Sequence, residues 1–400
     1  MQTGGLHAIV KKAKGTALPL RERGCRKATG TFDSNITERT KPLKRDSRFE
    51  LLRIVAILFI TFHHVLLFGA DVCGYLSTYD PGTKGVAGVA LNSVVVTGVS
   101  LFVMITGWFG VRRVWQPLLR LVIVCAVFGA AAYGLATYAL PSLFEAASIP
   151  VKATAPDFLS SLKFTNWWFI VHYLMLLLIA PLLERALDKV TRRNMEHILL
   201  CLLVFNLLFG FAWGYVNASG YNVIQFVLLY LLARYLRLFT DAPLVRFVRR
   251  YAWMVIAVCA AAITMLFLAD KGAWQPRRMP MVWNYNCPLV ILEAVTIFSL
   301  FTKRKGEKVP KSQTSSLKPQ INFVARFVLG VYLLQSAPAI VPFRNALGST
   351  AYEYAGYAGV VVAVVLIATG CWLVSWLILS LLNFVLRSPK SLFPRRDGTN

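Results

Sequence analysis

Charged residues are scarce in this sequence. Asp, Glu, Lys and Arg make up 15% of the 400 residues, whereas 57% are hydrophobic. Soluble globular proteins carry about 25% charged residues, which cover their surface elements. The shortage of charge excludes an ordinary soluble enzyme and indicates a chain that lies largely in lipid.

Metal-binding and disulfide motifs are also missing. The seven cysteines are scattered, with no Cys-x-x-Cys pair and no close Cys/His cluster. This pattern argues against a zinc site and against a disulfide framework. We expect no bound metal and no bound cofactor.

What the sequence does contain is a series of long apolar runs. A helix needs about 20 apolar residues to span a bilayer, and no run shows the alternation of a β-strand. The sequence predicts an all-α, polytopic membrane bundle of about ten transmembrane helices. The predicted spans are 51–70, 86–110, 118–140, 167–184, 198–216, 221–239, 251–269, 286–302, 326–343 and 356–383.

The two ends of the chain differ from the apolar region. Residues 1–46 are rich in Lys, Arg, Gly and Thr without an apolar period, which predicts a disordered basic tail. Residues 47–385 form the predicted membrane domain, and 386–400 a short basic tail. The first and last segments are both predicted to be cytoplasmic.

The net charge of +25 supports this orientation. When the spans alternate from a cytoplasmic N-terminus, 36 of the 43 Lys and Arg residues fall on the inner side, as the positive-inside rule requires. Arg344 falls in an outer loop. The basic balance therefore reports topology. It does not indicate nucleic-acid binding, which needs a folded module with a patterned basic face, and the expected partner is the lipid bilayer.

Few ionisable residues lie inside the predicted spans: Arg53, His63, His64, His172 and Glu293. Such residues are candidates for function because each is costly in lipid. Arg53 and His64 are eleven residues apart, which places them on one helix face about 16 Å apart. His63 points about 100° away. Taken singly, Arg53 also fits a snorkelling residue, and His64 a bundle-facing histidine bonded to a backbone carbonyl.

Three segments resemble one family. The run from Glu50-Leu-Leu-Arg53 to His63-His64 is similar to the opening helix of acyltransferase family 3, in which an Arg, ten residues and a His recur. Residues 99–108 resemble the family's second helix. Trp167 to Tyr173, followed by Ala180-Pro181, resembles its Trp-Tyr-Pro helix. The resemblance covers about residues 48–385 and selects Arg53 and His64 as catalytic residues.

The family also carries an Arg-x-x-Arg on the loop after its second span. This sequence departs from that pattern, with Arg112, Arg113 and Arg120. Three cations at one inner mouth suit the phosphates of coenzyme A, although inner loops are basic in any membrane protein. The three arginines are therefore candidate ligands of the acyl donor.

Four other residues have open roles. Glu293 is either a partner that orients His64 or His172, or a buried protonated carboxyl. Trp168, with Trp167 and Tyr173, fits an interface belt better than a platform for a sugar ring. His63, Glu293, His172 and Trp168 are thus possible supporting residues.

The resemblance implies a bacterial cytoplasmic-membrane O-acyltransferase that modifies a surface polysaccharide or lipid-linked glycan. Its donor would be cytoplasmic acyl-CoA, with acetyl-CoA as the default co-substrate. Its partners would be the glycan acceptor and glycan-assembly proteins. Imidazole is the natural general base near neutral pH, so His64 would deprotonate the acceptor hydroxyl, directly or after acyl relay. The alternatives are a glycan transporter or flippase and, more weakly, a non-catalytic membrane sensor.

Overall fold

The computed structural model describes residues 46–72, 74, 83–270, 281–302 and 317–385, and this part of the chain contains helices and no strands. The predicted tails, apart from Asp46, lie outside the described residues. The α-helices are α1 (Ser47–His64), α2 (Thr83–Val95), α3 (Gly98–Phe109), α4 (Trp115–Gly134), α5 (Leu140–Ala146), α6 (Phe158–Ser161), α7 (Trp168–Leu187), α8 (Arg192–Phe205), α9 (Val223–Leu238), α10 (Pro243–Arg250), α11 (Ala252–Asp270), α12 (Pro288–Leu300), α13 (Lys318–Ala325), α14 (Val328–Gln335) and α15 (Val341–Val385).

Helix α1 begins at a capped N-terminus. The Asp46 side chain accepts a hydrogen bond from the Arg48 amide at 3.1 Å, which satisfies a donor that the first turn leaves unpaired. The helix then runs without a break to His64 and continues as a π-helical turn over Val65–Gly69. Together these residues form the first membrane-spanning helix.

The prediction of a multi-span helical bundle is confirmed. Within the described residues, seven helices are long and apolar enough to cross a membrane, and the bent pair of α9 and α10 makes an eighth if it is counted as one span. The count of about ten is not confirmed. The seven are 47–69, 85–109, 115–146, 168–187, 192–212, 252–269 and 341–382.

Three of the predicted spans differ from the helices in the structure. The predicted sixth span is the 16-residue α9, which bends by 96° into α10, and the predicted eighth is the 13-residue α12. The predicted ninth contains α14, which ends at Gln335, and the first three residues of α15. Pro338 lies in the turn that follows α14, where a residue without an N–H cannot continue the helical hydrogen bonding.

Small residues bring the helices of the bundle into close contact. A Cβ atom at Gly107 of α3 would lie 2.5 Å from the Tyr230 carbonyl oxygen of α9. A Cβ at Gly69 would lie 3.0 Å from the Cα of Gly348 in α15. Glycine at such contacts lets membrane helices approach backbone to backbone. The second contact holds the end of the first span against the start of α15.

Candidate functional site

Helix α1 carries both residues of the Arg/His motif. Arg53 and His64 lie in one uninterrupted α-helix, so the eleven-residue spacing places them on one face, about 16 Å apart along the axis. The π-helical turn starts at the next residue, Val65. Such turns recur at functional sites because they locally redirect side chains.

His64 is bonded to a residue from a distant part of the chain. Its Nδ1 lies 3.1 Å from Oε1 of Gln335, at the end of α14. An amide oxygen only accepts hydrogen bonds, so Nδ1 of His64 carries the proton and Nε2 keeps its lone pair. Gln335 is fully buried, and its own Nε2 has no hydrogen-bond partner among the described residues. This pair leaves His64 with a nitrogen that can accept a proton.

Arg344 lies beside this pair, where an outer loop was predicted. That prediction is wrong, because the side chain is only 5% exposed and belongs to the first turns of α15. Its Nη1 donates to the Gln335 carbonyl oxygen at 3.0 Å, so the guanidinium lies beside the residue that bonds His64. The predicted ninth span ended at residue 343, so Arg344 was assigned to the loop that follows it.

His63 has a separate partner. Its Nδ1 lies 2.7 Å from Oδ1 of Asn92 in α2, and the ring is buried. The two neighbouring histidines are thus held by different elements, His63 by α2 and His64 by α14.

Arg53 lies near the other end of α1. Its Nη1 donates to Oε1 of the buried Glu50 at 2.6 Å, and its guanidinium lies 5.8 Å from the centre of the Phe109 ring. The charge of Arg53 also acts on Tyr173. Arg53 therefore sits against the C-terminal end of α3 with about a third of its side chain exposed.

Two of the three predicted donor arginines lie in the α3–α4 connection. Arg112 and Arg113 are exposed there, and Arg112 forms an ion pair with Asp188 at 3.7 Å. Arg120 is part-buried on α4. Arg112 and Arg113 thus follow directly after the end of α3, where Arg53 contacts Phe109, and Arg120 lies in the second turn of α4.

A buried ion pair at this end was missed by the sequence analysis. Arg234 of α9 donates from Nη2 to Oε2 of Glu184 at 2.9 Å, and the Tyr230 hydroxyl donates to Oε1 at 2.7 Å. Arg237 donates from Nη1 to the Trp108 carbonyl oxygen at 2.6 Å. The charged residues Glu184, Arg234 and Arg237 lie near predicted span ends, where charge is ordinary, so no sequence signal separated them from loop residues.

Glu293 lies in α12 and is fully buried, and neither carboxyl oxygen has a hydrogen-bond partner among the described residues. It makes no hydrogen bond with His64 or His172. His172 lies in α7 with its ring 6.4 Å from that of Trp168, and its Nδ1 also lacks a partner within the described chain. The supporting role of Glu293 therefore stays a prediction.

Trp168 belongs to an aromatic cluster. Its ring stacks on Tyr285 at 5.6 Å and lies 4.5 Å from Tyr221. Trp167 is 1% exposed and donates from Nε1 to the Leu333 carbonyl oxygen at 2.9 Å. The interface belt predicted for Trp167 is therefore wrong, since its ring is packed inside the bundle and does not face the lipid headgroups.

In the described part of the chain, no group of three or more His, Cys, Asp or Glu side chains is placed to hold a metal ion. The chemistry available at His64 is that of imidazole, amide and guanidinium groups.

Comparisons with known proteins identify the family. No curated protein and no solved structure gave a significant match. A family model described as an acyltransferase domain matches residues 46–378, which include α1 and most of the described helices. This family supports an O-acyltransferase kind of function, carried out by a multi-pass membrane protein. The chain belongs to acyltransferase family 3.

Proposed function

We propose that this protein transfers an acyl group from cytoplasmic acyl-CoA to a hydroxyl group of a cell-surface polysaccharide or lipid-linked glycan. The acyl group would be acetyl, and the protein would reside in the bacterial cytoplasmic membrane with about ten spans and both termini inside. The observation that carries the proposal is the His64–Gln335 pair, which leaves the His64 Nε2 lone pair free inside the bundle.

In this proposal His64 is the general base. Its Nε2 takes the proton of the acceptor hydroxyl as the oxygen attacks the thioester carbon. A positioned base of this kind contributes about 10²–10⁴-fold to the rate. Gln335 is a positioning residue, because its amide oxygen fixes which His64 nitrogen is protonated.

The acyl-CoA donor would enter the bundle at the C-terminal end of α3. Arg53 lies there against Phe109, on the same face of α1 as His64. Exposed Arg112 and Arg113, together with Arg120, would hold the phosphates of coenzyme A through charge-assisted hydrogen bonds. A separation of about 16 Å between Arg53 and His64 leaves room for the extended pantetheine arm between them.

The acceptor is identified by comparing the surface glycan of cells with and without the gene. Mass spectrometry should show each modified repeat unit lighter by one acyl group when the gene is deleted, with the glycan still on the surface. Complementation with the wild-type gene should restore the mass, and complementation with His64→Ala should not. Loss of the whole glycan from the surface would instead support a flippase and contradict the proposal.

A further inference from the structure

Arg344 is a buried cation without a carboxylate partner in the described part of the chain. Its guanidinium donates to neutral oxygens only: to the Gln335 carbonyl at 3.0 Å from Nη1, and to Oδ1 of Asn345 at 3.1 Å from Nε and 2.8 Å from Nη2. A charge inside the bundle is costly unless an opposite charge compensates it. Among the described residues, the site therefore has a fixed positive charge and no fixed negative charge.

The backbone makes this position still less favourable for a cation. Arg344 is the fourth residue of α15, which begins at Val341. The N-terminus of a helix carries partial positive charge, so anions are favoured there and cations are disfavoured. The Arg344 guanidinium and the N-terminal end of α15 together create a positive electrostatic potential at one place in the bundle. That potential favours an anion that is present only transiently.

The positive site adjoins the imidazole of His64. Arg344 bonds to the main chain of the same Gln335 whose side chain holds His64. The Phe68 ring lies 5.8 Å from the guanidinium carbon and 6.1 Å from the His64 ring, and so flanks both groups. Three of the five N–H groups of Arg344 are used in the bonds to Gln335 and Asn345, which leaves two for another acceptor.

We propose that Arg344 stabilises the oxyanion that forms during acyl transfer next to His64. The inference rests on the proposed function. In direct transfer the acceptor hydroxyl oxygen forms a bond to the thioester carbon, and its proton goes to Nε2 of His64. The carbonyl π electrons move onto the carbonyl oxygen, which becomes the oxyanion beside Arg344. When the carbonyl re-forms, the carbon–sulfur bond breaks, and the leaving thiolate takes the proton from His64.

This role predicts a loss of turnover without a loss of donor affinity, because the charge exists only in the transition state and the intermediate. Removal of one oxyanion donor lowers turnover by about 10²–10³-fold in other enzymes. A permanent anion of the donor, such as a phosphate, would be bound in the ground state as well. Its loss would raise KM and leave turnover nearly unchanged.

The test uses inside-out membrane vesicles from the host that makes the glycan, supplied with labelled acetyl-CoA. Arg344→Ala should lower label transfer at saturating acetyl-CoA by about 10²–10³-fold, with KM for acetyl-CoA within about threefold of wild type. Added guanidinium ion should restore part of the activity of Arg344→Ala and none of the activity of His64→Ala. The matched control is Arg326→Ala, which removes an exposed arginine from the chain segment just before α14.

Two further variants, Arg344→Lys and Arg344→Gln, keep the test decisive if the Arg344→Ala protein does not insert into the membrane. Arg344→Lys keeps the charge but loses the planar fork, and it should retain more turnover than Arg344→Gln at equal protein level. Near wild-type turnover in Arg344→Ala or Arg344→Gln would overturn the inference, and so would a raised KM with unchanged turnover. If wild-type vesicles transfer no label while the glycan is present, the proposed function itself fails.

Discussion

At the scale of single residues, one helix carries both Arg53 and His64, and a distant helix supplies the partner of His64. Arg53 and His64 belong to one helix, so their spacing in the sequence defines their relation in space. Gln335 bonds to His64 across 271 residues of sequence. A lone glutamine near the end of an apolar run carries no signal for such a contact. Arg344 lies one residue beyond the predicted ninth span and was therefore assigned to a loop.

The His64–Gln335 bond makes a prediction for turnover. Gln335→Leu removes the acceptor of the His64 Nδ1 proton, so both tautomers of the imidazole become accessible. We expect turnover to fall by about 10²-fold, within the range that a general base contributes. Initial rates of acyl transfer at saturating acetyl-CoA measure it.

The matched variant for Gln335→Leu is Gln335→Glu, which keeps an acceptor oxygen at the same place. It should retain more turnover than Gln335→Leu at the same protein level. Equal rates for wild type and Gln335→Leu would show that the bond does not orient His64.

The Glu184–Arg234 ion pair makes a prediction for stability. Both side chains are about 95% buried, and removal of one partner leaves an uncompensated charge that costs about 3–5 kcal/mol. Arg234→Met should therefore lower the unfolding temperature of the detergent-solubilised protein. The control, Arg246→Met, changes an exposed arginine in α10 and should have little effect. Equal shifts for the two variants would contradict the assignment of Glu184–Arg234 as a buried pair.

At the scale of helices, apolar runs predicted where helices occur but not how long they are. The run at 286–302 contains a helix of only 13 residues, α12, because Cys287 is extended and Pro288 starts the helix. In the run at 326–343, helix α14 ends at Gln335. Helix α15 then runs from Val341 through the predicted loop into the predicted tenth span, with a break in its helical geometry at Ala355 and Gly356. A hydropathy value averaged over a whole apolar run does not resolve such helix ends and breaks.

The contact between α3 and α9 makes a prediction at this scale. Gly107→Val places side-chain atoms where the Tyr230 backbone now lies, and overpacking of this kind costs about 1–3 kcal/mol. Gly134→Ala is the control, because a Cβ at Gly134 meets nothing within 4 Å and alanine favours the helix by about 0.5–1 kcal/mol. Thermal unfolding in detergent should show a decrease for Gly107→Val and none for Gly134→Ala. A decrease of the same size in both would contradict the close contact.

At the scale of the whole molecule, the scarcity of charge predicted a membrane-spanning helical bundle. The distribution of the 43 basic residues also predicts its orientation. The number of spans depends on the short and bent helices α9, α10, α12 and α14, whose geometry results from packing and prolines. Composition contains no information on that packing.

The predicted orientation can be tested by cysteine labelling in intact cells. Ala153→Cys lies in an exposed segment predicted to be outside, and Arg193→Cys at an exposed position predicted to be inside. In a background with Cys25 and Cys73 replaced by Ser, a membrane-impermeant maleimide should label the first variant at once. It should label the second only after permeabilisation. The reverse pattern would contradict cytoplasmic termini.

The central claim is that His64 is the base of an acyl transfer. The most direct measurement is transfer of label from acetyl-CoA to the host glycan by inside-out vesicles that contain equal amounts of inserted wild type, His64→Ala or His197→Ala. His197 is an exposed histidine of α8 and serves as the matched control. The account predicts that His64→Ala loses transfer by about 10²-fold or more, while His197→Ala retains it. Full transfer by His64→Ala would contradict the account.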